Sequence, residues 1–279
     1  MTNPNYKNKI VQEYRRLGRR KYRKKSGKII LEGYHLLNEA LVAGIKIETV
    51  FFTAEFLQKD INQELLSKAC SGIRLVEVTP RMFQAMAQTE NPQGIGAIAF
   101  PPQNVAVFPG EERKKFEFPR DSAHFYLILD ELQDPGNLGT IIRTAAAAAI
   151  NGIFLLPGTV EPYNPKALRA SMGGIFYLPV IQVQEIDSCL GFLREQNMQL
   201  VAADPRGDRP YHMVNFSNRP SAVIIGNESR GVSKSLLKKA DIRAYIPLQG
   251  KIAALNAAVA SSVFIFESQR QKNHSTFAR

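Results

Sequence analysis

The chain has 279 residues, 44% hydrophobic and 22% charged, which marks it as globular and leaves room for two domains. Its two cysteines, Cys70 and Cys189, lie too far apart for a zinc spacing or a disulfide framework, and no apolar run approaches the roughly 18 residues of a membrane span. The net charge of +11 sits at one end: residues 1–28 hold eleven Lys and Arg against one acid, Glu13.

These totals predict a cytoplasmic protein with no metal and no membrane partner. The basic start has no apolar stretch behind it, which argues against a secretory signal. Such a localised basic arm is the electrostatic footprint of a polyanion partner, RNA or DNA. The alternatives are an anionic membrane surface or a solvated tail.

In chain order, residues 8–23 are predicted as a basic helix, since Ile10, Val11, Tyr14 and Leu17 recur at helical spacing. Gly27 breaks it, and residues 29–33 follow as a strand. Residues 34–43 read as an amphipathic helix that stops at Gly44. Then come a strand (48–53), a helix (56–69) with Ile61, Leu65 and Leu66 as its apolar face, a strand (73–78), a helix (80–87) and a strand (95–100). Residues 101–121 carry Pro-Pro, Pro-Gly and a run of charges, and read as a linker. The expected division is a basic arm and α/β RNA-binding domain at 1–102, a linker at 103–121 and a second domain at 122–279.

The second domain opens on the apolar strand 125–129, followed by a loop and an alanine-rich helix, 138–149, with Arg143 in its middle. Strand 152–156, short helix 165–171, strand 176–183, helix 186–195 and strand 199–203 continue the alternation. That pattern predicts a parallel sheet with helices on both faces. Strand 222–225 then meets the loop Gly226-Asn227-Glu228-Ser229-Arg230-Gly231, and strand 244–247 meets a loop ending at Asn256, where an apolar helix begins. Ligands of α/β enzymes sit at such carboxyl ends of parallel strands.

Gly94-Ile95-Gly96-Ala97-Ile98-Ala99 matches a dinucleotide-binding pattern but lies inside a strand, with no helix N-terminus to hold a pyrophosphate. The four histidines are scattered and support neither a metal site nor a histidine base. Arg143, among small and apolar neighbours, is costly to bury alone, so it is either functional or half of a structural ion pair.

Three segments carry a resemblance. Asp134-Pro135-Gly136-Asn137-Leu138-Gly139-Thr140-Ile141-Ile142-Arg143, Ile225-Gly226-Asn227-Glu228-Ser229-Arg230-Gly231, and Ile246-Pro247-Leu248 with Leu255-Asn256-Ala257-Ala258-Val259-Ala260 resemble, in order, the motifs of the SpoU (TrmH) class of the SPOUT superfamily. The first hundred residues, through Ile30-Leu31-Glu32-Gly33 and Asn91-Pro92-Gln93-Gly94, are similar to the substrate-binding domain that precedes many such enzymes. The resemblance implies an RNA ribose 2′-O-methyltransferase using S-adenosylmethionine. It also implies an α/β fold with a deep trefoil knot and a homodimer formed through the C-terminal domain.

Carried onto this chain, the motifs make Arg143, Asn137, Glu228 and Asn256 catalytic. They give Gly226, Asn227, Ile246, Leu248, Leu255 and Ala260 to the cofactor. Arg19, Arg20, Arg23, Lys24, Lys25, Lys166, Arg169 and Ser171 are expected on RNA phosphate. Glu228 is expected to orient Arg143 or a loop of the second subunit. Ala254 stands where the family usually has serine. The expected substrate is large-subunit ribosomal RNA, with transfer RNA or a non-catalytic RNA-binding role in ribosome assembly as the alternatives.

Overall fold

A computed structural model describes residues 4–58, 60–69, 72–108 and 124–277. The chain divides into two compact units: residues 1–103 with 162–177, and residues 104–161 with 178–279.

The first unit is built on strands β1 (Ile29–Glu32), β2 (Ile47–Phe52), β3 (Arg74–Glu77) and β4 (Ile95–Ala99), in the order β1-β4-β2-β3. β4 runs antiparallel to both neighbours and β2 pairs parallel with β3. Helix α1 (Pro4–Leu17) lays Ile10, Tyr14 and Leu17 into the core with Phe51, Phe83 and Met86. Tyr14 is fully buried, its hydroxyl donates to the Leu31 carbonyl at 3.3 Å, and its ring meets Phe51 edge-on at 5.4 Å. Gly96 makes room for it: a Cβ there would lie 2.5 Å from the Tyr14 hydroxyl. The Gly-rich stretch is therefore a strand that receives a tyrosine.

The basic run is thus part of the fold, which corrects its reading as a detachable arm. It is also two helices where one was expected. The chain breaks at Gly18, and Arg19 is extended (φ −103°, ψ 133°) ahead of α2 (Arg20–Ser26). Arg23, buried to 6% exposure, turns back and donates from Nη1 to the Leu17 carbonyl at 2.7 Å, closing the end of α1.

Helices α3 (Tyr34–Val42), α4 (Asp60–Ala69) and α5 (Pro80–Met86) complete the N-terminal part of this unit. The expected helix 56–69 is a 3-10 turn at Phe56–Gln58 and an α-helix at Asp60–Ala69. Ile61 is exposed, while Asn62 is buried and bonds the Phe56 carbonyl. The two N-terminal motif segments meet: the Gly33 N–H donates to the Ile95 carbonyl at 3.0 Å and the Tyr34 N–H to Gln93 Oε1 at 2.8 Å. Glu32 accepts from the Gln88 N–H at 2.7 Å and from the Thr89 hydroxyl at 2.5 Å.

The second unit is one wholly parallel eight-stranded sheet. Its strands are β5 (Val105–Val107), β6 (Phe125–Leu129), β7 (Gly152–Leu155), β8 (Val180–Gln182), β9 (Gln199–Ala203), β10 (Arg209–Pro210), β11 (Ser221–Ile225) and β12 (Ile242–Tyr245). Their order is β10-β12-β9-β11-β6-β7-β8-β5. β6 and β11 are buried on both faces, as continuous apolar runs in a covered parallel sheet should be. Helices α6 (Pro135–Ala147), α8 (Ile186–Glu195), α9 (Lys234–Lys239) and α10 (Ala257–Phe277) belong to this unit, while α7 (Pro165–Ala170), between α6 and α8 in the chain, falls in the first. α8 and α9 cover one face through Leu190, Leu193 and Leu236 against Ile128, Phe154 and Ile224. α10 packs on α6, β11 and β6. After β12 the chain thus comes back past β9 to the middle of the sheet.

Several expectations shift. β5 lies inside the stretch read as linker and pairs with β8; residues 109–123 are outside the described residues. The segment 162–177, inside the expected second domain, groups with the first unit. There α7 packs near β1, Gly173 takes a left-handed turn (φ +84°) against Glu39, and the Tyr177 hydroxyl donates to Glu39 Oε2 at 3.0 Å. The expected strand 176–183 begins as a 3-10 turn at Gly174–Phe176 and is a strand only at Val180–Gln182.

Candidate active site

A parallel sheet brings the carboxyl ends of its strands to one edge, so the loops after β6, β9, β11 and β12 gather there. The loop after β11 closes on itself. Asn227 and Gly231 form an isolated bridge, N–H to carbonyl at 3.1 and 2.9 Å, and Gly231 is left-handed (φ +69°). A Cβ on Gly226 would sit 2.1 Å from the Gly231 carbonyl carbon and the Val232 nitrogen. Gly226 is required by this self-contact. Asn227 is equally committed: its amide donates to the Glu131 carbonyl at 2.9 Å and accepts from the Ser229 and Arg230 N–H groups.

The closed loop presents Glu228 to the start of α6. Its carboxylate accepts from the Gln133 N–H (3.1 Å), the Asp134 N–H (3.0 Å) and the Asn137 amide (3.0 Å). Burial pushes this carboxyl up, but the Asn137 amide and the N–H groups of Asp134, Glu228 and Gln133 outweigh it and hold it below its ordinary range. Asp134 caps α6 by accepting the Asn137 N–H at 2.9 Å, and Pro135 fills the first helical position. Asn137 Oδ1 in turn accepts from Asn256 Nδ2 at 3.0 Å, while Asn256 Oδ1 accepts the Ala258 and Val259 N–H groups that open α10. One chain of hydrogen bonds, Asn256 to Asn137 to Glu228, therefore joins all three motif segments, with Glu228 and Asn256 exposed and Asn137 half-buried.

Beside this chain lies a cleft of about 260 Å³. Of the residues expected to hold the cofactor, Gly226, Asn227, Ile246, Leu248, Leu255 and Ala260 all line it, together with Glu228 and Ala254. Sequence reading missed the turn after β9 (Ala203, Asp204, Pro205 and Arg206), and also Tyr245 and Phe264, which complete the wall. The turn had no motif to mark it, because it is made a wall by β9 lying next to β11. Among the described residues, none bonds a main-chain group of the loop between Leu248 and Leu255. Free main-chain donors and acceptors over apolar side chains fit the edge and face of an adenine. The cleft is thus chemically suited to S-adenosylmethionine.

Arg143 is exposed on α6, and its side chain makes no ion pair or hydrogen bond among the described residues. Among the described residues, neither the buried cation nor the structural ion pair entertained from sequence is present. Glu228 binds the α6 N-terminus and Asn137 and not Arg143, one of the two partners expected for it, the other being a loop of the second subunit. Among the expected RNA contacts, Arg19, Arg20, Lys24, Lys25 and Lys166 are exposed and Arg169 is half-buried. Two expectations are corrected. Arg23 is buried as the cap of α1, and Ser171 is buried at 1% exposure with its hydroxyl on the Leu168 carbonyl at 2.7 Å.

The family comparison decides between folds of this general kind. The profile of the SpoU rRNA Methylase family matches residues 124–266. The chain belongs to the SpoU rRNA methylase family. A second profile, the MRM3-like substrate binding domain, matches residues 8–97. This SpoU chain is similar to the Bacillus subtilis 23S rRNA (guanosine(2553)-2′-O)-methyltransferase RlmP, at 32% identity over 93% of this chain and 96% of the relative. It is 34% identical to an uncharacterized tRNA/rRNA methyltransferase of Synechocystis sp., over 95% of this chain and 92% of that one. Among solved structures, the AdoMet-bound rRNA methyltransferase from Sinorhizobium meliloti superposes with a TM-score of 0.77 at 29% identity, covering 97% of each chain.

Proposed function

We propose that this SpoU chain transfers the methyl group of S-adenosylmethionine to a ribose 2′-hydroxyl of large-subunit ribosomal RNA. The observation that carries the reading is the hydrogen-bond chain Asn256–Asn137–Glu228 beside the cleft, because it joins the three family motifs at one place. The relatives that act on ribosomal RNA, RlmP above all, support the substrate class.

When bound, the cofactor supplies a methyl on a sulfonium, so the reaction needs an oriented nucleophile and a route for one proton. Asn137 and Asn256 are held by each other, Asn137 also by Glu228 and by its place in the capped first turn of α6, and Asn256 by the start of α10 that it caps. Each amide keeps a spare hydrogen or lone pair for a ribose hydroxyl. Arg143 cannot act as a base, since a guanidinium stays protonated. Its unpaired fork is free to clamp a substrate phosphate. The phosphate held by Arg143, or water, would then take up the proton that the hydroxyl loses on methylation.

We assign RNA docking to residues 1–102 through Arg19, Arg20, Lys24 and Lys25. The chemistry belongs to residues 122–279 as a homodimer covering the exposed Val259 and Phe266 of α10. The test is transfer of labelled methyl to unmodified large-subunit ribosomal RNA and to bulk transfer RNA, with the product digested to nucleosides. Alkali-stable 2′-O-methyl label in ribosomal RNA is the expected result. Label in transfer RNA would move the substrate to the alternative class, and none in either, with cofactor bound, would favour a non-catalytic binder.

A further inference from the structure

Four charged side chains line the cleft: Asp204, Arg206, Glu228 and Arg230. Three are committed. Glu228 is bonded to the start of α6, as above. Arg230 Nη2 lies 2.5 Å from Glu131 Oε2. Asp204, buried to 6% exposure, receives Arg243 through Nε at 3.1 Å and Nη2 at 2.6 Å. Burial pushes the Asp204 carboxyl up, but the Arg206 N–H, the Arg243 guanidinium and the nearby charges together hold it below its ordinary range. Its charge is therefore balanced before any ligand arrives.

Arg206 differs. Its main chain is fixed: the N–H donates to Asp204 Oδ1 at 3.0 Å and Gly207 N–H closes the turn onto the Asp204 carbonyl at 2.9 Å. The turn is pressed against β12 so tightly that a Cβ on Gly207 would lie 2.3 Å from the Arg243 carbonyl oxygen. The side chain is 85% exposed, and the Asp204 carboxylate stands 4.0 Å from its Nε, beyond hydrogen-bond reach and already neutralised. A rigid turn thus holds one cation without a committed counter-ion at the wall of the cleft.

We propose that Arg206 binds the α-carboxylate at the methionine end of S-adenosylmethionine. The turn after β9 then selects the intact cofactor over ligands that share only its nucleoside and sulfonium. This rests on the reading of the cleft as the cofactor site. The carboxylate is the one anionic group of the cofactor, whose remaining charges are cationic and would be repelled by a lone arginine. Docking it on Arg206 supplies a charge-assisted, bidentate bond.

The experiment is calorimetric titration of the full chain and of its Arg206→Gln and Arg206→Lys variants with S-adenosylmethionine and with decarboxylated S-adenosylmethionine. Because the main chain of Arg206 carries the turn, both variants keep the wall. The wild type is expected to prefer the intact cofactor. Arg206→Gln should weaken the intact cofactor by about tenfold, the loss of one exposed charge-assisted contact. It should leave the decarboxylated ligand unchanged or tighter, and Arg206→Lys should restore part of the preference. Equal weakening of both ligands by Arg206→Gln, or no change in either, would overturn the proposal. Failure of the wild type to bind either ligand would overturn the cofactor reading of the cleft itself.

Discussion

Arg20 and Arg23 stand three residues apart in the same basic run and do opposite things. Arg20 is exposed on α2, while Arg23 is buried and closes the last turn of α1 through the Leu17 carbonyl. Burial, with Arg20 close by, lowers the Arg23 guanidinium to about 10. Arg23→Ala is therefore predicted to destabilise the fold by about 2 kcal/mol, since it removes a charged buried hydrogen bond and leaves a carbonyl unpaired. Arg20→Ala should stay within about 0.5 kcal/mol. Urea denaturation of the two variants measures the difference, and equal stabilities would refute the cap. Nothing in composition separates the two arginines. Which one is buried depends on where the helix breaks, and that is set by Gly18 and the Gln88 side chain beside it. Ser171 escaped sequence reading for the same reason: its partner is a backbone carbonyl.

Among the elements, α1 changes most in meaning. Read from sequence, residues 1–28 are a basic arm for a polyanion partner. In the structure Ile10, Tyr14 and Leu17 lie in the core of the first unit. Deleting residues 1–28 is predicted to unfold that unit, with loss of one thermal transition by circular dichroism while the second unit still melts. An unchanged melting profile would restore the arm. The buried strands β6, β9 and β11 were legible because fully covered parallel strands are continuous apolar runs between turn residues. β5, α9 and β10 were not legible, because pieces this short owe their structure to neighbours distant in sequence. β12 was placed two residues late, since Ile246 and Pro247 continue its apolar run but belong to the loop that lines the cleft.

For the whole molecule, the sheet order does what the motifs alone cannot. Asn137 and Glu228 are 91 residues apart, and Asn137 and Asn256 are 119 apart, yet β11 lies against β6 and α10 against α6. The family motifs made these residues visible in the sequence. Their mutual bonding was not visible, nor was the wall contributed by the turn after β9. The grouping of residues 162–177 with the first unit was equally hidden, because it rests on contacts with residues more than a hundred positions earlier. On the proposed function, this chain of hydrogen bonds orients the nucleophile beside the cleft. Single-turnover methyl transfer by Asn137→Ala, at saturating S-adenosylmethionine and RNA, tests it most directly. The expected result is cofactor affinity close to that of the wild type and a transfer rate lower by about a hundredfold, the size of effect expected for losing one positioning group. A wild-type rate in that variant would contradict it.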